Sequence, residues 1–214
     1  MIETLTKKKI RASQIYSRLK EGYPNSKHSL YYTTPHELLV ATILSAQCID
    51  GIVNTVTKNL FKKYHSLQDF AYCNLNSLSE DIHPCTDHNQ KSKNIKATAL
   101  IIVEEHRGVV PSNLNDLIAL PGVKREIANC ILGEIYNIPS VAVNTHMVRI
   151  MSLLGFTRSK DPRKIEFEIM RIYKEKVWVK LTNIIIDHGV SICVEGSPKC
   201  EACIISELCP SSNV

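Results

Sequence analysis

Residues 113–137 read NLNDLIALPGVKREIANCILGEIYN, and the rest of the chain can be organised around them. A short helical run enters Leu120-Pro121-Gly122-Val123-Lys124-Arg125, and a second helix follows. Proline stops the first helix, and glycine permits a positive φ or a close backbone approach. The second helix then begins with unpaired N–H groups at the positive end of its dipole, where anions are welcome. Lys124 and Arg125 add charge at the same spot. Such a turn is suited to holding a phosphodiester without reading its bases. A plain helical hairpin is the alternative.

The same helical period runs outward in both directions. Residues 8–22 place Ile10, Ile15 and Leu19 on one face. Thr34-Pro35-His36-Glu37 reads as a capping box with proline at the first helical position. The helix it opens, about 35–47, is apolar on most sides, which predicts a place at the centre of a domain. Further helical patterns cover about 50–63, 67–73, 91–106, 113–119, 125–137, 145–154, 161–176 and 178–189. The breaks are short and carry turn residues, among them Pro111-Ser112, Pro139-Ser140 and Asp161-Pro162. Asn144 or Thr145 is the natural N-cap of the run that follows it. The expectation is an all-α protein of some ten helices.

Composition narrows the class. The chain has 214 residues, 44% of them hydrophobic and 22% charged. That length suggests one or two domains, and that balance buries a real core and excludes a disordered chain. No apolar run approaches the roughly 18 residues of a membrane span, and the N-terminal stretch has no apolar core of a secretion signal. An intracellular, reducing compartment is therefore expected, cytoplasmic or nucleoid-associated. There, eight cysteines are better explained as metal ligands or free thiols than as disulfides. A net charge of +5 is compatible with a polyanionic partner and decides nothing alone.

Cys193, Cys200, Cys203 and Cys209 follow a C-x6-C-x2-C-x5-C spacing within 17 residues. Four thiolates this close can converge on one metal centre, either a tetrahedral zinc or a [4Fe–4S] cluster. The spacing matches neither ferredoxin pattern, and it does not choose between the two. Cys48, Cys73, Cys85 and Cys130 are scattered and read as ordinary small core or surface residues.

Together these pieces resemble the endonuclease III family of helix–hairpin–helix DNA glycosylases. The matching stretches are HELLVATILSAQCID (36–50), LPGVKREIAN (120–129), SVAVNTHMVRI (140–150), the Asp-His-Gly at 187–189 and the four-cysteine loop. They follow the family's order and span about residues 10 to 209. The resemblance implies a two-lobed all-α fold. A central lobe, about 24–137, would carry the hairpin, and residues 1–23 with 138–214 would form the cluster-bearing lobe. It also favours [4Fe–4S] over zinc at the four cysteines. It makes the partner double-stranded DNA containing a damaged base or an abasic site, bound by a monomer. Chemistry on a stacked base is sterically blocked, so the base would be flipped out. Gln47 would fill the gap left behind, while Leu120, Gly122, Val123, Lys124, Arg125 and His146 would contact DNA.

Two positions depart from the family. Its bifunctional members carry a lysine, in the first turn of the hairpin's second helix, that attacks C1′ and forms a Schiff base. Glu126 stands there, and a carboxylate forms no imine. Lys124 is two residues away, a step that turns about 200° on a helix, so it does not replace that amine. The family also has an aspartate where this chain has Asn144, which keeps the helix cap but loses the charge. Three readings follow. In the first, Glu126 and Asn144 are the catalytic positions of a monofunctional glycosylase, with Glu126 as a relocated carboxylate that stabilises the sugar cation or activates water, since a carboxylate can do either. Alternatively, the protein binds lesions or abasic sites without cutting. In the third, the sequence is an altered form of an active enzyme, which suits Asn144 better than Glu126. Asp50, and Asp87 within the 83–90 segment, are further carboxylates to place. Trp178, the single tryptophan, is expected to anchor the core of the cluster-bearing lobe.

Overall fold

The computed structural model describes residues 3–214. Its described residues form eleven α-helices and three short 3₁₀ turns, with no strand. The helices are α1 (Leu5–Gly22), α2 (Pro35–Ser45), α3 (Asp50–Lys63), α4 (Leu67–Tyr72), α5 (Leu75–Asp81), α6 (His88–Glu105), α7 (Leu114–Ala119), α8 (Arg125–Tyr136), α9 (Thr145–Leu153), α10 (Pro162–Ile172) and α11 (Trp178–Ser191). The 3₁₀ turns cover Glu175–Val177, Cys200–Ala202 and Ser206–Leu208.

The helical period located ten of the eleven helices. It missed α5, whose seven residues carry too few apolar positions to show a period; Asn74 starts it by accepting the Ser77 N–H. Five boundaries move by two residues or more; α1 begins already at Leu5 and α11 runs on to Ser191. Helix α6 begins at His88, so the end of the 83–90 segment is already helical, with Asp87 as its left-handed N-cap. Helix α2 stops at Ser45, which leaves Gln47 outside it. Helix α10 stops at Ile172, and the chain then makes a separate 3₁₀ turn.

Two compact units result. One, His28–Ile138, contains α2 to α8. Helix α2 is its axis, with every residue from Leu38 to Leu44 buried. Its entry is fixed as the sequence dictates: the Thr34 hydroxyl accepts the Glu37 N–H, and the Glu37 carboxylate returns to the Thr34 N–H. Leu38, Leu39, Leu44, Phe70, Leu78, Ile82, Ile102 and Ile131 form the core around it. Each such side chain contributes about 1.5–3 kcal/mol on burial. The exit of α2 is closed by a buried lysine. Lys91 Nζ donates to the carbonyls of Leu44 at 2.8 Å and Ala46 at 2.7 Å, taking up acceptors that a helix end leaves unpaired.

The other unit joins the chain up to Lys27 with Pro139–Val214. It holds α1, α9, α10, α11 and the 3₁₀ turns. Ile15, Leu19, Met147, Ile150, Ile165, Ile169, Leu181 and Ile184 are buried in its core. Trp178 is buried there too, with its indole N–H donated to the Tyr173 carbonyl at 3.1 Å. Arg11 ties the C-terminal loop to α1 by donating to the carbonyls of Leu154 and Leu208 at 2.9 and 3.0 Å.

Candidate nucleic-acid interface and cysteine cradle

The hairpin of α7 and α8 lies in the His28–Ile138 unit. Leu120 caps α7 and is buried, Gly122 turns at φ +80°, and Val123 is buried with its N–H on the Leu120 carbonyl at 3.1 Å. Glycine is needed at 122 twice over. The φ lies in the region that L side chains rarely adopt. A Cβ would also stand 2.8 Å from the Asn94 amide nitrogen and 2.9 Å from its Cβ. Thr98 holds the turn from below, donating its hydroxyl to the Pro121 carbonyl at 2.7 Å. Lys124 is the N-cap of α8, is exposed, and supplies no capping side chain to it. The positive end of the helix dipole and a cationic side chain therefore share one exposed place, as the sequence suggests. Arg125, half-buried, follows directly.

Glu126 is the second residue of α8 and reaches solvent. Protein nevertheless crowds its carboxyl. Desolvation pushes it up to about 7, Lys124 pulls down and Asp50 pushes further up. Exposure and desolvation point in different directions here. The upward displacement is compatible with a side chain that touches water from a crowded surface and keeps only part of its hydration.

Asp50 starts α3 and accepts the Ser29 hydroxyl at 2.6 Å. The neighbouring His28 approaches Cys130 with Nε2 3.1 Å from the sulfur, while its Nδ1 accepts the Leu30 N–H. Cys130 lies one turn after Glu126 on α8. The two-residue strap 28–29 thus links the start of α3 to the Glu126 side of α8. Because Nδ1 accepts, neutral His28 carries its proton on Nε2, and burial holds its pKa down. It donates toward Cys130 and so cannot deprotonate it. Sequence reasoning missed this strap, since nothing in the spacing of residues 28, 50 and 130 announces it.

Gln47 is exposed and sits in the turn after α2 at φ +54°, a left-handed conformation uncommon outside glycine. Its carbonyl accepts the Thr86 hydroxyl at 2.6 Å. The 83–90 segment therefore buttresses the turn. Asp87 is exposed at the start of α6.

Two candidate residues and the cysteine loop belong to the other unit. Asn144 is the N-cap of α9, its side-chain oxygen accepting the Met147 N–H at 2.8 Å. His146 packs its ring over the backbone of Gly189 in α11; a Cβ at 189 would stand 2.5 Å from Nδ1. That close approach accounts for the glycine of Asp-His-Gly. Cys193, Cys200, Cys203 and Cys209 border one cavity, with Ile150, Leu153, Leu154, Ile192 and Ile205 as its apolar wall. Arg149 Nη1 stands 3.5 Å from the Cys193 sulfur and Nη2 3.4 Å from the Gly189 carbonyl. His188 stands with Nε2 3.7 Å from the Cys203 sulfur and Nδ1 3.0 Å from the Tyr23 hydroxyl. Burial, with Arg149 adding to it, pulls His188 down to about 4, so the ring is neutral. Among the described residues no three His, Cys, Asp or Glu side chains converge tightly enough to hold a single metal ion. The described helices include none long and apolar enough to cross a membrane.

Residues 40–175 match the model of the HhH-GPD superfamily of base excision DNA repair proteins. Endonuclease III of Synechocystis is 40% identical over 213 residues, covering 99% of this chain and 97% of its own. This chain belongs to the endonuclease III family. Endonuclease III of Bacillus subtilis is 35% identical, covering 90% of this chain and 88% of its own. Among solved structures, a trapped endonuclease III–DNA covalent intermediate superposes with a TM-score of 0.92 at 31% identity, covering 99% and 98% of the two chains. A thermostable thymine-DNA glycosylase shares the fold, with a TM-score of 0.84 at 21% identity over 98% and 99%.

Proposed function

We propose that this endonuclease III relative is a monofunctional DNA glycosylase that removes a damaged base from duplex DNA by hydrolysis. The observation that carries the reading is Glu126. It stands in the first turn of α8 beside the Pro121-Gly122 turn, and its carboxyl is pushed up to about 7; the resemblance to the family puts it where an amine nucleophile is expected. A carboxyl that titrates near neutrality is suited to acid–base work there. As the carboxylate it accepts the proton of a water attacking C1′, or opposes the positive charge growing on the sugar. Desolvation, the cause of the raised pKa, also strengthens that second effect. Asp50 keeps a second negative charge nearby and so helps hold Glu126 at that value.

Lys124, Arg125 and the amides of the hairpin hold the phosphate backbone, and Gln47 occupies the space of the extruded base. Its left-handed backbone and the Thr86 hydrogen bond support that role by fixing the turn that presents it. Cys193, Cys200, Cys203 and Cys209 are the ligands of a [4Fe–4S] cluster. Four thiols ringing an apolar-walled cavity suit a multi-iron core better than one tetrahedral ion, whose sulfurs must all lie about 2.3 Å from the metal. Arg149 and neutral His188 are placed to give hydrogen bonds to cluster sulfurs, which tunes such groups. The cluster braces the C-terminal loop.

The second reading, lesion binding without catalysis, is favoured by Asn144. That side chain is neutral, and its oxygen is committed to the α9 cap. One assay separates the two. Duplexes carrying uracil, oxidised pyrimidines or alkylpurines are incubated with protein, then treated with hot alkali. Alkali-dependent breaks without breaks before alkali, and no borohydride-trapped adduct, are expected. Tight binding with no breaks on any substrate would establish the binder, and a trapped adduct would establish an amine nucleophile elsewhere.

A further inference from the structure

Cys48 and Cys85 take no part in the proposed chemistry, yet the fold places them together. Helix α2 ends at Ser45, and the turn Ala46-Gln47-Cys48 closes with the Cys48 N–H on the Ser45 carbonyl at 3.0 Å. The opposing segment closes with the Cys85 N–H on the Ile82 carbonyl at 2.9 Å. The two turns are joined by the Thr86 hydroxyl on the Gln47 carbonyl. That bond sets residues 47 and 86 side by side, and the chain neighbour of each is a cysteine. Both are free thiols. Cys85 is 1% exposed in the core, and Cys48 is half-buried against the same core. The Cys85 thiol is pushed up to about 12, by burial first and by the adjacent Cys48 second.

We infer that Cys48 and Cys85 are a redox pair whose disulfide locks the turn presenting Gln47. The oxidant is a small-molecule disulfide. The partly exposed Cys48, as thiolate, attacks one of its sulfurs, forming a mixed disulfide and expelling one small thiolate. The thiolate just expelled takes the Cys85 proton, and Cys85 attacks the Cys48 sulfur, expelling the second. Two protein thiols are oxidised, and one small disulfide is reduced to two thiols. Cys85, shielded by the core, reaches no other oxidant, so Cys48 alone admits the reaction. A disulfide needs Cβ atoms about 3.5–4.5 Å apart, a spacing set by the two backbones, which the Thr86–Gln47 hydrogen bond holds side by side. Of the two ties now holding the turn against its neighbours, Thr86 and Lys91, neither is covalent. This chemistry belongs to the DNA-free protein, so its test stands or falls apart from the glycosylase reading.

The cluster-loaded protein is incubated with oxidised glutathione, free thiols are blocked, and peptides are mapped. The expected product joins the Cys48 and Cys85 peptides, two hydrogens lighter than the reduced pair. Backbone amide exchange at residues 46–48 is expected to slow at least about tenfold and to recover with dithiothreitol. Cys48→Ser should leave Cys85 unmodified, and Cys85→Ser should leave glutathione on Cys48. Wild-type protein that keeps both thiols free, or carries glutathione on Cys48 without the link, overturns the pair. A link that leaves exchange unchanged overturns the lock.

Discussion

The hairpin turn and the cysteine loop are the two short segments that give this molecule its character, and they are held in opposite ways. The hairpin is satisfied by its own chain. Gly122 takes the left-handed bend, Asn94 fills the space under it and Thr98 holds the Pro121 carbonyl. The loop after α11 has only two three-residue 3₁₀ turns, and its four thiols border a cavity. One segment is rigid because backbone and side chains leave it no alternative. The other borders a cavity with its four thiols, the place proposed above for a cluster. Recognition of a repeating backbone calls for the first kind of structure, and a metal-braced loop calls for the second.

The largest effect that would sharpen this contrast is at Glu126. Glu126→Gln should lower base release by about 100-fold or more, the scale of a lost acid–base group, as scored by alkali-labile breaks. It should not destabilise. A carboxyl raised from its ordinary 4.5 to about 7 binds more protons in the folded than in the unfolded chain. Stability therefore falls as pH rises between those values. Removing the charge should leave the melting midpoint at pH 8 equal to or above that of the wild type. For the same reason base release should climb with pH through about 7, since the ionised form is the active one.

The loop comes next. Cys203→Ser should yield protein without broad absorption near ~400 nm, expected of [4Fe–4S] clusters in general. A loss of about 2 kcal/mol would lower the melting midpoint by roughly 4–8 °C for a chain of this size. A colourless wild type containing zinc would break the comparison on this side.

Gly122→Ala tests the self-sufficient segment and should cost about 1–3 kcal/mol for forcing a side chain into the left-handed region, read by denaturant unfolding. Adding Asn94→Ala removes the amide contact but leaves the Cβ of residue 94 at 2.9 Å and the φ unchanged, so only part of that loss should return. The smallest effect belongs to Lys124→Ala. It should weaken duplex binding alike for all sequences and reduce the slope of log affinity against log salt by about 1.

Much of this fold is legible in the sequence because its punctuation is local. Thr34-Pro35-His36-Glu37 makes its capping box from four consecutive residues, and Leu120-Pro121-Gly122 makes its turn from three. Helix α5 was invisible because Leu75 and Leu78 are too few to show a period. The site was legible only in part. The hairpin, Glu126 and the four cysteines are contiguous motifs, and the substitution at 126 shows in a single letter. What surrounds Glu126 is not contiguous. Asp50 acts on it by charge across space, and the bonds of Ser29 to Asp50 and of His28 to Cys130 exist only after folding. Nor does a sequence carry a φ angle: the left-handed backbone of Gln47 stands where Lys91 holds the carbonyls of Leu44 and Ala46 before it and Thr86 holds its own.

The bare Cα of Gly189 has a reach beyond its own helix. The His146 ring rests directly on it, and His146 stands two residues after Asn144 at the mouth of α9. Any methyl group introduced at 189 would have to lift that ring, and with it the first turn of the helix that Asn144 caps. The same glycine offers its carbonyl to Arg149, whose other nitrogen faces Cys193, so a side chain there would press on the helix cap and on the cysteine loop together.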